Sequence, residues 1–131
     1  MTRYPLLLAA TLFVLVAVPV SQARPARAAA TVTVTAGKPS EFKFKLSATS
    51  VKHGAVTFKV TNGGALGHDF AICTKATTTP ANTCASKGTA VISPGGSATF
   101  KYTFLKAGSY EYICKVAGHA AAGMKGLLKV T

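Results

Sequence analysis

The strongest constraint on the fold of this chain is an alternation of apolar and polar residues that recurs from residue 32 onward. Val56, Phe58 and Val60, for example, alternate with a threonine and a lysine. A period of two places the apolar side chains on one face of a β-strand, and no stretch shows the 3.6-residue period of a helix. The alternating runs are residues 32–34, 42–46, 56–60, 70–72, 100–104, 110–114 and 128–130.

Turn-forming residues separate these runs. Residues 62–64 are Asn-Gly-Gly and residues 93–96 are Ser-Pro-Gly-Gly, both of which are typical of tight turns between strands. A length of 131 residues fits one domain. The pattern therefore predicts an all-β fold, an antiparallel β-sandwich or barrel of seven to eight strands, with helices minor at most.

Residues 1–30 have the pattern of a secretory signal peptide. Arg3 precedes an apolar run from residue 6 to residue 20, and small residues follow it. We expect cleavage after Ala23, Ala28 or Ala30, which leaves residues 31–131 as the mature domain. An uncleaved anchor is the alternative, but the apolar run is short for a span of about 20 residues. We therefore expect an exported protein, periplasmic, at the cell surface or extracellular, with no membrane span after processing.

The chain contains three cysteines. Cys73 and Cys84 flank a Thr- and Ala-rich segment that contains Pro80 and interrupts the alternation. Since exported proteins commonly oxidise such pairs, we predict a Cys73–Cys84 disulfide that stabilises the fold by about 3 kcal/mol, with two free thiols as the alternative. This pairing leaves Cys114 as an odd cysteine, which requires an explanation in an exported protein.

Cys114 opens a segment with further side chains that can bind a metal. His119 lies five residues after it and Met124 five residues after His119, and Met124 is the only methionine besides the initiator. Gly118 and Gly123 allow the loop between them to fold tightly. Taken singly, these residues are more often a solvated histidine, a gap-filling methionine and a buried small hydrophobe. Their joint occurrence favours a metal site.

His68 supplies a second imidazole from a distant part of the sequence. It has the same strand parity as Phe70 and Ile72, so we expect it to point inward rather than into solvent. A lone inward histidine is more often a core residue. However, one thiolate, two imidazoles and one thioether together suit copper in both oxidation states, as in blue-copper sites. Zinc is the chief inorganic alternative because it accepts His and Cys, although Met is a poor zinc ligand.

On these residues the chain resembles the cupredoxins, the type 1 copper proteins of the plastocyanin/azurin class. The resemblance covers nearly the whole mature region. Its most specific part is the C-x4-H-x4-M pattern at Cys114, His119 and Met124, with His68 after an Asn-Gly loop upstream. It implies a Greek-key β-sandwich that binds one copper ion near one end through these four side chains.

Three features depart from the common family pattern. Ala117 stands where a proline often precedes the Gly-His pair, which leaves the loop softer but removes no ligand. Asp69 stands where an asparagine often ties the two ligand loops together, and an unpaired carboxylate there would favour the oxidised metal. The segment between Cys73 and Cys84 is an insertion.

A site with four protein ligands has no open position for water or substrate, so we expect an electron carrier rather than an enzyme. The resemblance implies that the electron leaves through the exposed edge of His119, which lies among alanines. Two alternatives stay open. One is a copper storage or delivery module, and the other is a metal-free interaction domain.

The chain is strongly basic. It has 15 Lys+Arg against 3 Asp+Glu, a net charge of +12. Without Arg3, Arg24 and Arg27, the mature chain has 12 lysines and a net charge of about +9 (12 minus 3). For most of the lysines we favour an ordinary solvated surface, and the functional alternative is a surface that steers a monomer toward an acidic redox partner. The charge is unclustered and lacks arginine after Arg27, so we expect no nucleic-acid partner.

Overall fold

The computed structural model describes residues 28–131, so the predicted signal segment lies almost entirely outside the described residues. Residues 28–131 form nine strands and no helix. Accordingly, this part of the chain has no helix long and apolar enough to cross a membrane. The strands are β1 (Ala30–Ala36), β2 (Phe44–Leu46), β3 (Ser50–Val51), β4 (Gly54–Asn62), β5 (Ala71–Ala76), β6 (Ser86–Gly88), β7 (Ser97–Phe104), β8 (Gly108–Ile113) and β9 (Lys125–Val130).

These strands form two sheets, of four strands in the order β2-β1-β4-β7 and of five in the order β3-β9-β8-β5-β6. The all-β sandwich is therefore confirmed. The sheets are mixed rather than antiparallel throughout, because β1 pairs parallel with β4 and β3 parallel with β9. Turn residues predict hairpins between successive strands, whereas these parallel pairs arise where the chain crosses between sheets. The two strands without a counterpart among the predicted runs, β3 and β6, are only two and three residues long.

The core lies between the two sheets and contains the predicted inward positions. Val56, Phe58 and Val60 of β4 are buried, and so is Phe70 at the start of the facing sheet. The rings of Phe58 and Phe70 lie 5.3 Å apart between centroids. Burying each such side chain contributes about 1.5–3 kcal/mol, so the alternating face of β4 contributes strongly to stability.

Strand β8 is buried on both faces, which the alternation did not predict. Glu111 and Ile113 point away from the main core but are buried, Ile113 in a second cluster with Ala71, Cys73 and Ala120, and Glu111 against the segment that follows β5. The predicted disulfide between Cys73 and Cys84 closes this segment, with their Cα atoms 5.7 Å apart. Glu111 Oε2 accepts a hydrogen bond of 3.0 Å from the Ala81 amide, so the carboxylate anchors the insertion to the sheet.

The expected strand from residue 42 is shorter than predicted. Only Phe44–Leu46 pairs as β2, and residues 37–43 form a loop. The Gly37 amide donates to the Lys43 carbonyl at 2.9 Å, which closes this loop, and Gly37 adopts a left-handed φ of 75°. The loop places Glu41 at the end of the sandwich where His68 lies.

Candidate metal centre

His68 lies just before β5 and is fixed by the backbone. Its amide donates to the Ile92 carbonyl at 3.2 Å, and its carbonyl accepts from the Ile92 amide at 2.7 Å. This isolated bridge holds the residue between two well-packed segments. The side chain is fully buried, as its parity with Phe70 predicted.

The other three predicted residues lie on the loop between β8 and β9. Cys114 directly follows β8, and Met124 directly precedes β9. The Cys114 amide donates to the Met124 carbonyl at 3.0 Å, and the Met124 amide donates to the His119 carbonyl at 2.9 Å. Gly118 and Gly123 adopt left-handed φ angles of 81° and 101°, which these tight turns require. The loop therefore folds back onto its own first residue.

The structure brings the predicted side chains together at one end of the sandwich. His68 Nδ1 lies 3.1 Å from His119 Nδ1, and Cys114 Sγ lies 3.5 Å from the same nitrogen. The donor atoms of these three residues lie within 4.8 Å of one another. Met124 is fully buried and packs in the same cluster as Cys114. Three of the predicted donors thus converge, and Met124 packs beside Cys114.

Burial disfavours the charged forms of the cysteine and histidine in this pocket. It raises the pKa of the Cys114 thiol to about 11, and it also lowers the pKa of His119, with the nearby His68 as the next cause. The metal-free pocket therefore holds a neutral thiol and a neutral His119 imidazole at pH 7. A metal cation that binds the sulfur must displace the thiol proton.

The donor set fits a soft or borderline metal. It offers one thiol, two imidazoles and one thioether, and no carboxylate belongs to the group of converging donors. Such a set suits copper far better than Ca²⁺ or Mg²⁺, which require oxygen ligands. A second cluster in residues 28–131 contains Cys73, Cys84 and Glu111, but its cysteines form the disulfide and offer no thiolate.

Asp69 ties the two halves of the site together. It is buried, and its Oδ1 accepts a hydrogen bond of 2.6 Å from the Lys115 amide, next to Cys114. Its Oδ2 lies 3.6 Å from Lys115 Nζ, so its charge is paired. The aspartate thus makes the loop-to-loop link that the resemblance ascribes to asparagine.

Asn62 organises the loop before His68. Its side-chain amide donates to the carbonyls of Leu66 and Ile92, both at 2.7 Å, and its Oδ1 accepts from the Gly64 amide at 2.9 Å. All of its hydrogen-bonding groups are used in a fully buried position. This explains the Asn-Gly-Gly sequence ahead of the histidine.

Glu41 is a neighbour of the site that the sequence did not reveal. His68 Nε2 donates to Glu41 Oε1 at 2.7 Å, and the amides of Ala65 and Leu66 also donate to this carboxylate. These backbone hydrogen bonds are the main reason that the pKa of Glu41 falls to about 2. In the sequence, Glu41 directly precedes the alternating run of residues 42–46 at the parity of its lysines, so it resembles a solvent-facing charge, and no local pattern links it to His68.

Residues 30–131 match the copper binding proteins of the plastocyanin/azurin family. The chain belongs to this family. The match spans all nine strands and both loops that carry the converging donors. The cofactor of this cupredoxin is therefore copper, in agreement with the chemistry of the donor set.

Individual relatives agree with this assignment. The copper-resistant cuproprotein CopI of Rubrivivax gelatinosus is 32% identical over 108 residues, a match that covers 75% of this cupredoxin and 66% of that relative. Auracyanin B superposes with a TM-score of 0.65 at 26% identity, covering 79% of this chain and 89% of its own. Rusticyanin from Thiobacillus ferrooxidans gives a TM-score of 0.61 at 27% identity, and the match covers 77% of this chain and 76% of rusticyanin.

Proposed function

We propose that this cupredoxin is an exported electron carrier with a type 1 copper centre. His68, Cys114 and His119 would hold the ion through Nδ1, Sγ and Nδ1, and Met124 would offer its thioether as a weak fourth donor. The observation that carries the proposal is the convergence of these three donor atoms within 4.8 Å, in a pocket where each residue is at most 8% exposed. Bound copper supplies one-electron exchange between Cu(II) and Cu(I).

The protein's contribution is a pocket that changes little between the two oxidation states. Cys114 and Met124 are joined through their backbones, and His68 is held by its bridge to Ile92. Four protein donors leave no open position for a substrate, which supports electron transfer rather than catalysis. A rigid pocket that suits both states reduces the rearrangement that accompanies each transfer.

The proposed exit for the electron is the edge of His119. This imidazole is 8% exposed, whereas the pocket's other donors are fully buried. Exposed alanines, Ala117, Ala121 and Ala122, lie next to it in the chain, and the Phe42 ring packs edge-on against it at 5.0 Å. A partner that docks on this surface could approach the metal closely through the His119 edge.

Export and an acidic redox partner complete the proposal. The Cys73–Cys84 disulfide supports an oxidising compartment, as expected for a periplasmic, cell-surface or extracellular protein. Most lysines are exposed, and the domain has only three acidic residues to balance their charge. A basic surface of this kind raises the encounter rate with an acidic partner at low salt.

Voltammetry of the copper-loaded mature protein tests the electron-carrier function. We expect a reversible one-electron wave that persists over many cycles without loss of copper. The matched control is Cys114→Ser, which has nearly the same volume but lacks the thiolate and should lose the reversible wave. An irreversible wave in the wild type, with release of copper on reduction, would contradict the proposal.

Copper storage or delivery is the second candidate, because one relative is named a copper-resistant cuproprotein. A carrier of copper must release its ion to an acceptor, whereas buried ligands predict slow release. Mixing the copper-loaded protein with excess Cu(I) chelator separates the two functions. Retention over hours supports the electron carrier, and complete transfer within seconds supports delivery.

A further inference from the structure

We propose that Glu41 is a positioning residue of the copper centre, which fixes the orientation and tautomer of His68 and favours the oxidised metal. The inference rests on the proposed ligand set and adds a residue outside it. The observation behind it is the contact between Glu41 Oε1 and His68 Nε2 at 2.7 Å.

The two ring nitrogens of His68 face different groups. Nδ1 faces the pocket, 3.1 Å from His119 Nδ1, whereas Nε2 faces Glu41. An ionised carboxylate only accepts hydrogen bonds, so Nε2 must carry the proton. The lone pair is then on Nδ1, the nitrogen that points at the other donors. Carboxylate–histidine pairs of this kind orient metal-binding imidazoles and raise their basicity.

Glu41 is held in place rather than free to rotate. Its Oε1 accepts from the Leu66 amide at 2.9 Å, and its Oε2 accepts from the Ala65 amide at 3.0 Å. Its side chain is 28% exposed, so the carboxylate is partly shielded from water. The same group thus joins three parts of the site, namely the loop of residues 37–43, the loop before His68 and the histidine itself.

The backbone around this contact leaves room for the carboxylate. A Cβ on Gly64 would lie 2.5 Å from Glu41 Oε1 and 2.9 Å from His68 Nε2. A Cβ on Gly37 would lie 2.5 Å from Gly64 Cα. Any side chain at either position would therefore push the two loops apart or displace the carboxylate. The contact depends on glycine at both places.

Charge at this position acts on the metal through one imidazole ring. Within residues 28–131, the Glu41 carboxylate contacts His68 and forms no salt bridge with a lysine, whereas Asp69 is paired with Lys115. Glu111 contacts the disulfide-closed insertion and neither histidine. Glu41 is thus the acidic side chain whose charge faces the histidines without a lysine partner. A nearby negative charge stabilises Cu(II) more than Cu(I), so it lowers the reduction potential.

Glu41→Gln tests the inference, with Glu111→Gln as a control that removes the same charge away from the ligands. We expect Glu41→Gln to weaken Cu(II) binding about tenfold relative to Cu(I), the lower end of the usual effect of such partners. For a one-electron couple this raises the potential by about 59 mV. The control should show no such shift. Equal potentials in the two variants would overturn the inference.

A measurement on the unaltered Cu(I) protein does not depend on how the variant folds. Nitrogen-15 NMR of His68 should show a proton on Nε2 that exchanges slowly with water. In Glu41→Gln this proton should exchange faster, which a purely structural role for Glu41 would not require. An Nε2 without a proton in the wild type would overturn the inference.

A wrong ligand assignment and a wrong role for Glu41 would give different results. If the oxidised wild-type protein lacks the intense blue absorption, the ligand set is wrong and the role of Glu41 falls with it. If the protein is blue and Glu41→Gln leaves both the potential and the Nε2 proton unchanged, only the role of Glu41 is overturned.

Discussion

The chemistry of the site starts with a single buried sulfur. Cys114 is fully buried, and this burial raises the pKa of its thiol to about 11. A thiol with so high a pKa is a poor nucleophile at neutral pH, so it resists disulfide exchange. The sulfur becomes a strong donor only when a metal displaces its proton.

Replacement of Met124 by leucine should alter the redox chemistry more than the stability. Met and Leu have similar volumes, so the free energy of unfolding should fall by less than about 1.5 kcal/mol. The blue colour should persist, while the potential should rise because a weak donor to Cu(II) is lost. Voltammetry and thermal unfolding of the same sample check both statements. An unchanged potential would count against axial coordination by Met124.

Residue-scale prediction succeeded where the signal was local in sequence. Cys114, His119 and Met124 lie within eleven residues, and His68 was found from its strand parity. Glu41 was missed because it lies 27 residues from His68, and only the loop of residues 37–43 brings the two together. Its position in an alternating run gave it the appearance of an ordinary solvent-facing charge.

At the scale of elements, the two loops at the metal end depend on close backbone approach. Gly64→Ala would place a methyl group 2.5 Å from Glu41 Oε1, an overlap that the carboxylate or one of the loops must relieve by moving. We expect a loss of about 1–3 kcal/mol in the free energy of unfolding, measured by chemical denaturation.

Gly63→Ala is the matched control for this change. A Cβ there would meet the Thr35 methyl group at 3.2 Å and the Lys38 side chain at 3.5 Å, and it would not meet Glu41. Its loss of stability should be smaller, because these side-chain atoms can shift. Equal losses in the two variants would show that the approach of Glu41 to Gly64 is not a tight constraint.

The disulfide-closed insertion stabilises the sheet without contributing a copper donor. Replacing Cys73 and Cys84 together by alanine should lower the free energy of unfolding by about 3 kcal/mol. The spectrum of the copper-loaded protein should stay unchanged, because neither cysteine belongs to the converging donor group. Denaturation and visible absorption of the double variant test this. A lost blue colour in the folded variant would mean that the insertion supports the site directly.

The alternation predicted which residues face the core but not everything that covers the sheets. It predicted the buried face of β4 correctly. For Glu111 of β8 it predicted exposure to solvent, whereas the insertion buries this residue. It also could not reveal that β1 pairs parallel with β4, because strand pairing depends on contacts between distant segments. Neither burial by an insertion nor pairing across a crossover produces a periodic pattern in the sequence.

At the scale of the whole molecule, the net positive charge should affect the rate of encounter with a redox partner rather than the fold. The net charge of about +9 for residues 31–131 follows from 12 lysines and 3 acidic residues. The rate of electron transfer to an acidic redox protein should fall steeply as the ionic strength rises from 0.01 M to 1 M, because the Debye length falls from about 30 Å to about 3 Å.

A neutral small-molecule oxidant provides the control for this salt dependence. Its rate with the same protein should hardly change over the same range, because no long-range attraction assists the encounter. Stopped-flow measurements of both reactions separate steering from effects of salt on the site. Identical salt dependences would argue against a role for the basic surface.

The most direct test of the copper centre is the visible and EPR spectrum of the oxidised, copper-loaded mature protein, compared with that of Cys114→Ser. We predict an intense thiolate-to-copper absorption that gives a blue colour, together with the small copper hyperfine splitting of a type 1 site. Cys114→Ser should lose the intense absorption. A colourless wild-type protein, or a blue Cys114→Ser variant, would contradict the assignment of His68, Cys114, His119 and Met124 as the ligands.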